Sequence, residues 1–333
     1  MNFFNAMLLT TSLFAGALAG AEDKIIKVDG SSTVYPITEA MAEQYQGSKK
    51  DASRVTVGIS GTGGGFKKFC RGETDIQDAS RPITTAEMED CKKMNVKYFE
   101  LPIAYDATVV AVNAKNKWLN EITADELKMI WEPAAQGKIK KWNQVNAKWP
   151  DQEIKLYGAG SDSGTFDYFT EAIVGKAKSS RGDYTASEDD NTLVKGITGN
   201  EFALGYIPMS YYIENKKNLK AVAVIGGAKA PLKTGVLPSK ETVENGTYYP
   251  LSRPLFIYVN EASAKRADVK DFVNFYLKNA VTIVPEVKYI ALPSKAYTLG
   301  AEHFSKGKLG TIFGKESHIG LKIEDLMKKE TTF

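Results

Sequence analysis

Hydroxyl-bearing and glycine residues cluster three times in this chain, at residues 29–36 (DGSSTVYP), 60–66 (SGTGGGF) and 160–166 (GSDSGTF). The chemistry available to such residues is the holding of a tetrahedral oxyanion. Ser and Thr hydroxyls donate to anionic oxygens, and glycine lets the backbone approach a ligand closely. The first turn of a helix adds backbone N–H groups without intrahelical partners and a partial positive charge. Taken alone, each cluster also reads as an ordinary helix N-cap. Repetition favours a shared site. Apolar runs precede all three, at residues 25–28, 55–59 and 154–157, and helical patterns follow from Ile37, Phe66 and Phe166. Every turn therefore falls at the carboxyl end of a strand, where open α/β sheets bind ligands.

The elements that position these turns alternate between strand and helix patterns along most of the 333 residues, which predicts an α/β fold with mainly parallel sheets. The length suits about two domains. An apolar content of 43% and a charged content of 25% are ordinary for a soluble protein. The net charge is only +3, and the Lys pairs at 49–50, 67–68, 92–93, 216–217 and 328–329 are scattered, which describes a solvated surface rather than a nucleic-acid stripe. Residues 3–18 are apolar with small residues and lead to Ala-Leu-Ala and Ala-Gly-Ala at 17–21, which fit a cleavage site. Residues 1–21 are expected to be a secretory signal peptide, although no Lys or Arg precedes the apolar run. No Cys follows it to accept a lipid, so the expected product is periplasmic and not lipidated. The two cysteines, Cys70 and Cys91, are either a structural disulfide of an oxidising compartment or two buried thiols.

Two segments resemble each other. Residues 106–113 (DATVVAVN) and 254–260 (PLFIYVN) are continuous apolar strands ending in Val-Asn, about 150 positions apart. Such a pair suits a chain that crosses into a second lobe and later returns. The expected division is lobe I at 22–104 plus 257–333 and lobe II at 105–256. The first two turns then belong to one lobe and the third to the other, so that a ligand held between them closes the lobes about a hinge.

Longer stretches carry a family resemblance: residues 29–36, 58–83 (GISGTGGGFKKFCRGETDIQDASRPI), 101–113 (LPIAYDATVVAVN), 162–173 (DSGTFDYFTEAI) and 186–208 (ASEDDNTLVKGITGNEFALGYIP), together with segments 127–142 and 313–326. The chain resembles the periplasmic phosphate-binding protein of the bacterial phosphate-specific ABC transporter across nearly its whole mature length. The resemblance implies a two-lobed periplasmic-binding-protein (Venus-flytrap) fold, each lobe a mainly parallel sheet flanked by helices, joined by two hinge crossovers. It implies capture of inorganic phosphate for two membrane permease subunits and an ATPase, by a monomer with no cofactor, no catalytic residue and no nucleic-acid partner. Carried over by motif, the phosphate contacts are Ser32 and Thr33, Thr62 and Gly63, and Ser163, Gly164 and Thr165.

One position departs from that pattern. Many members place an aspartate after the Ala-Ser of this strand-end segment, where it accepts a proton from phosphate. Here Ala79-Ser80 is followed by Arg81, one of only six arginines. Arg81 is expected to contact the anion with its planar donor fork, the alternative being a pairing with Asp78 or Asp75. The acceptor then falls to Asp162 or Asp78. Other oxyanions, such as sulfate, molybdate or tungstate, suit the same hydroxyl shell. An enzyme fits less well, because no Gly-x-Ser-x-Gly elbow is present and the two histidines, His303 and His318, lack metal-ligand spacing. The glycine run at 61–65 lacks the ending of a nucleotide-binding loop. The tryptophans are expected in the core, residues 189–191 are expected to cap a helix, and no metal is assigned. An adhesion or sensing protein on the same fold is the remaining reading.

Overall fold

The structure is a computed structural model that describes residues 25–161, 163–312, 323, 327 and 328. The expected signal peptide, Asp162, His318 and most of the tail motif lie outside the described residues.

Eleven strands are described: β1 (Ile26–Gly30), β2 (Val55–Ile59), β3 (Ile76–Ala79), β4 (Tyr98–Asn113), β5 (Glu121–Thr123), β6 (Lys155–Ala159), β7 (Thr185–Ser187), β8 (Ala203–Pro208), β9 (Leu219–Ala221), β10 (Ala223–Ile225) and β11 (Ser252–Asn260). Their order is β2-β1-β3-β11-β4-β8-β6-β7, with β9 also on β4 and β5 paired separately with β10. The helices that matter for the turns are α1 (Tyr35–Ser48), α2 (Thr62–Cys70), α3 (Thr85–Lys93), α4 (Ala124–Trp131), α5 (Gly164–Phe169) and α6 (Asp190–Gly199).

β4 explains the two-lobed form. All sixteen of its residues are buried, including Glu100 and Asp106, so the strand is enclosed on both faces. From Tyr98 to Ala107 it pairs with β11, and from Thr108 to Val112 it pairs with β8. One strand thus serves both lobes. β1–β3 and β11 build the first sheet and β6–β9 the second. β4 changes partner after Ala107, and β11 runs from Ser252 to Asn260; where the two strands pair they form one antiparallel ladder, with a register shift at Leu255/Phe256.

Local signals account for the helices. Pro36 opens α1, whose buried Ile37, Met41, Ala42 and Tyr45 form one stripe at helical spacing. α3 and α4 begin with reciprocal capping boxes, Thr84 with Glu87 and Thr123 with Glu126. Asp189 accepts from Asn191 N at 2.9 Å and caps α6. The tryptophans are packing residues: Trp118, Trp142 and Trp149 meet one another edge-to-face or tilted, and Trp131 lies edge-on against Phe169, Tyr184 and Tyr206. Cys70 and Cys91 form a disulfide that ties the end of α2 to α3. Closing that 21-residue separation contributes about 3 kcal/mol on the chain-entropy model. Among the described residues, no helix is long and apolar enough to cross a membrane.

Candidate functional site

The three turns sit at the carboxyl ends of β1, β2 and β6, and their helices start two to four residues earlier than the apolar periodicity indicated, at Tyr35, Thr62 and Gly164. The first turn is organised by Ser31. Its hydroxyl accepts from Thr33 N at 3.2 Å, its carbonyl accepts from Tyr35 N at 3.0 Å, and its N–H donates to the Asp78 carbonyl at 2.9 Å. Ser31 thus organises the turn that leads into α1, and the hydroxyls of Ser32 and Thr33 serve other partners. Ser32 Oγ donates to Asp167 Oδ2 on α5 at 3.2 Å, and Thr33 Oγ1 accepts from Arg253 Nη2 at 3.3 Å.

In the second turn, Thr62 Oγ1 lies 3.0 Å from Ser80 Oγ and accepts from Ser80 N at 3.2 Å. That joins the start of α2 to the end of β3. Ser60 bonds to Asp29, which also receives Lys68 Nζ at 2.7 Å. Gly63 borders Arg81: a Cβ there would stand 3.7 Å from Arg81 Nη2. In the third turn, Ser163 Oγ accepts from Thr165 N at 3.2 Å and caps α5. Gly164 presses on the first turn, since a Cβ on it would come within 2.9 Å of Thr33 Cα and 3.1 Å of Thr33 Oγ1. First and third turns, carried by different sheets, are therefore in contact.

Arg81 is close to these turns, but its fork is engaged elsewhere. Nη1 and Nη2 each donate to a Glu87 oxygen at 2.8 Å, and Nη1 also reaches the Pro82 carbonyl at 3.1 Å. Burial pushes the Glu87 carboxyl up, but Arg81 and the Thr84 backbone outweigh it and hold it below its ordinary range. The partner is thus neither Asp75, which pairs with Arg266 at 2.9 Å, nor Asp78.

Asp78 is fully buried. Its Oδ1 accepts from Thr38 Oγ1 at 3.0 Å, Thr38 lies 3.1 Å from the Tyr276 hydroxyl, and Oδ2 has no hydrogen-bond partner among the described residues. Burial raises its pKa well above the ordinary carboxylate value, Thr38 offsets this only in part, and Asp29 adds to it. A carboxyl raised in this way favours folding at low pH, and that contribution is lost as pH rises from the unfolded value through the folded one. Asp78→Asn, which cannot ionise, is expected to gain stability relative to the parent as pH rises from 4 to 8. Thermal melts across that range would refute this if the difference between the two proteins stayed constant.

Arg253, Asp167 and Tyr168 join the cluster without having been singled out in the sequence. Arg253, on β11, is 13% exposed. Its Nη1 lies 3.2 Å from Glu171 Oε2, its Nε lies 3.5 Å from the buried Asp106 Oδ2, and its guanidinium carbon stands 3.8 Å from the Tyr168 ring centre. Burial raises the pKa of Asp106, and Arg253 offsets it incompletely. Burial likewise raises Asp167, against the lowering effects of Lys178, Ser32 and Arg253. The sequence signal that could have found Arg253 is the scarcity of arginine, six in all, which points equally to Arg81. Among the described residues, no group of three or more His, Cys, Asp or Glu side chains is arranged to hold a metal ion.

The chain matches the model of the PBP superfamily domain over residues 15–280. Protein SphX of Synechocystis sp. is 53% identical over 309 residues, which span 92% of this chain and 90% of the relative. The phosphate-binding protein PstS of Staphylococcus saprophyticus is 37% identical over 324 residues, 94% of this chain and 95% of the relative. The crystal structure of a possible phosphate-binding protein from Planctomyces limnophilus superposes with a TM-score of 0.81 at 45% identity, covering 85% of this chain and 98% of the other.

Proposed function

The chain belongs to the PBP superfamily and, within it, to the family of the phosphate-binding protein PstS, and on that premise we propose that it captures inorganic phosphate between its lobes and delivers it to an ABC-type importer. The observation that carries this reading is the meeting of the first and third turns across the two sheets, Gly164 on Thr33 and Asp167 on Ser32. Donors from both lobes then face one small ligand. We assign Ser32, Thr33, Thr62, Gly63, Ser163, Gly164 and Thr165 to its shell, with Arg81 at its border. Neutral hydrogen bonds contribute about 0.5–1.5 kcal/mol each and those to a charged group about 1.5–3. Seven or more suffice for micromolar affinity, about −8 kcal/mol, after the costs of association.

The rest of the reading follows from the same premise. Residues 1–21 direct export and are removed, the mature protein is extracytoplasmic and not lipidated, and it acts as a monomeric receptor rather than an enzyme. Lobe I comprises 22–104 plus 257–333 and lobe II 105–256, with β4 and β11 as the hinge. Two membrane subunits and an ATPase receive the cargo. Sulfate, molybdate and tungstate are the competing ligands for such a shell.

The deciding experiment is isothermal titration of residues 22–333, stripped of carried-over ligand, with phosphate alone and in excess sulfate. Micromolar or tighter binding that survives sulfate is expected, and equal competition by sulfate would refute a phosphate receptor. Thr62→Ala is expected to weaken phosphate by about 1–3 kcal/mol, and an unchanged affinity would remove Thr62 from the shell.

A further inference from the structure

Hydroxyls and backbone amides supply only partial charge to a multiply charged anion, so the location of a full positive charge matters for the site proposed above. We propose that Arg253, which enters on the returning hinge strand β11, is the cation that clamps the bound oxyanion, and that Arg81 instead holds the second turn in place. This assignment rests on the phosphate reading and adds a residue that neither the turns nor the Ala79-Ser80-Arg81 motif indicated.

Geometry separates the two arginines. Arg81 gives both ends of its fork to Glu87 at 2.8 Å each and a further N–H to Pro82. Among the described residues Arg253 makes two hydrogen bonds, both long: 3.3 Å from Nη2 to Thr33 and 3.2 Å from Nη1 to Glu171. Its Nε is buried without a hydrogen bond, with Asp106 at 3.5 Å. A guanidinium carries five donors; Arg81 commits three of them, two in a short bidentate pair with Glu87, whereas Arg253 commits two, both in longer bonds that a ligand can replace.

Position and environment agree. The Thr33 hydroxyl that Arg253 touches lies beside Gly164, where a Cβ would stand 3.1 Å from it, so the guanidinium reaches the junction of the two lobes. Stacking on Tyr168 fixes the plane of the fork, as bidentate recognition of an oxyanion requires. The Tyr168 hydroxyl is itself anchored on the Pro250 carbonyl at 2.7 Å. Burial lowers the local dielectric and strengthens attraction to a ligand charge. Asp106 beneath provides a counter-charge. Glu171 is the exchangeable partner, because its side chain is 46% exposed and it can rotate toward solvent when an anion takes its place on Nη1.

The test is isothermal titration with inorganic phosphate of the ligand-stripped parent, Arg253→Lys and Glu171→Gln, beside thermal melts in phosphate-free buffer. Arg253→Lys preserves the charge opposite Asp106 but removes the fork, and is expected to weaken phosphate at least thirtyfold while its melt stays near the parent's. Glu171→Gln is expected to tighten phosphate several-fold, since a carboxylate no longer competes for Nη1; a purely structural arginine would give no such gain. Retention of parental affinity within threefold in Arg253→Lys overturns the assignment alone, as does a Glu171→Gln protein that binds no tighter than the parent. A parent that binds no phosphate overturns the phosphate reading and this assignment together.

Discussion

Gly164→Val is expected to reduce phosphate affinity more than a hundredfold while leaving the chain folded. The Cβ of any residue at 164 would stand 2.9 Å from Thr33 Cα and 3.1 Å from Thr33 Oγ1, and the nearer atom is backbone that cannot rotate away. Valine adds two methyl groups to that collision. The two segments belong to different sheets, and the cheapest relief is for the lobes to stop short of closure. Donors that meet the ligand near 2.9 Å are then pulled back together, and losing three or four of them at about 1 kcal/mol each, more where the partner is charged, exceeds the 2.7 kcal/mol that a hundredfold represents. Stability should change little. Residue 164 is the first residue of α5, where replacing glycine lowers the entropy of the unfolded chain. Titration with phosphate beside a thermal melt separates the two effects. Parental affinity in Gly164→Val would mean that the contact between Thr33 and Gly164 is not part of the ligand-bound arrangement, and the proposed shell would have to be redrawn without the third turn.

What the sequence made legible was local. The three strand-turn-helix junctions were visible because strand period, turn residues and helix period change within a few positions of one another, and the cap at Asp189 was visible for the same reason. The roles of individual hydroxyls were less so: Ser31, Ser32 and Thr33 are chemically alike and adjacent, and only the fold decides that Ser31 bonds within its own turn while its neighbours bond to Asp167 and Arg253. The lobe crossovers were seen as a pair of Val-Asn strands, but the ends of β4 and β11 were not, because a strand that changes partners at Ala107 carries no mark in its own period. Arg253 illustrates the limit most clearly. It meets Thr33 from 220 positions away, and no spacing rule connects them. Arg81 lies next to a recognisable motif, but Glu87, six residues later, takes its charge.

The glycine run of the second turn separates conformational need from chemistry, and Gly65→Val is expected to be the most damaging substitution to the fold among those argued here. Of the three consecutive glycines, Gly63 would bring a Cβ into ordinary contact with Arg81 at 3.7 Å and Glu87 at 3.9 Å, and Gly64 would meet only the Ser60 side chain, at 3.2 Å. Gly65 has no such room. A Cβ there would stand 2.6 Å from Gly30 Cα and would collide with Gln77 Oε1. Gln77 cannot swing aside, because its Nε2 donates to the Thr62 carbonyl at 2.9 Å and to the Asp78 carbonyl at 2.8 Å. α2 would have to lift from β1 and β3, taking Thr62 with it and unpairing the buried amide. Overpacking usually costs about 1–3 kcal/mol, and stranding the Gln77 amide adds about 1–3 more, so a loss above about 3 kcal/mol is expected. Gly63→Ala serves as the comparison and should melt close to the parent. Excess phosphate should restore part of the lost stability, because a ligand that binds only the folded chain stabilises it by mass action. If Gly65→Val melted within two or three degrees of Gly63→Ala, the packing of α2 against the first turn would not be what holds Thr62 in place, and the second turn would owe its position to the disulfide and to Arg81 instead.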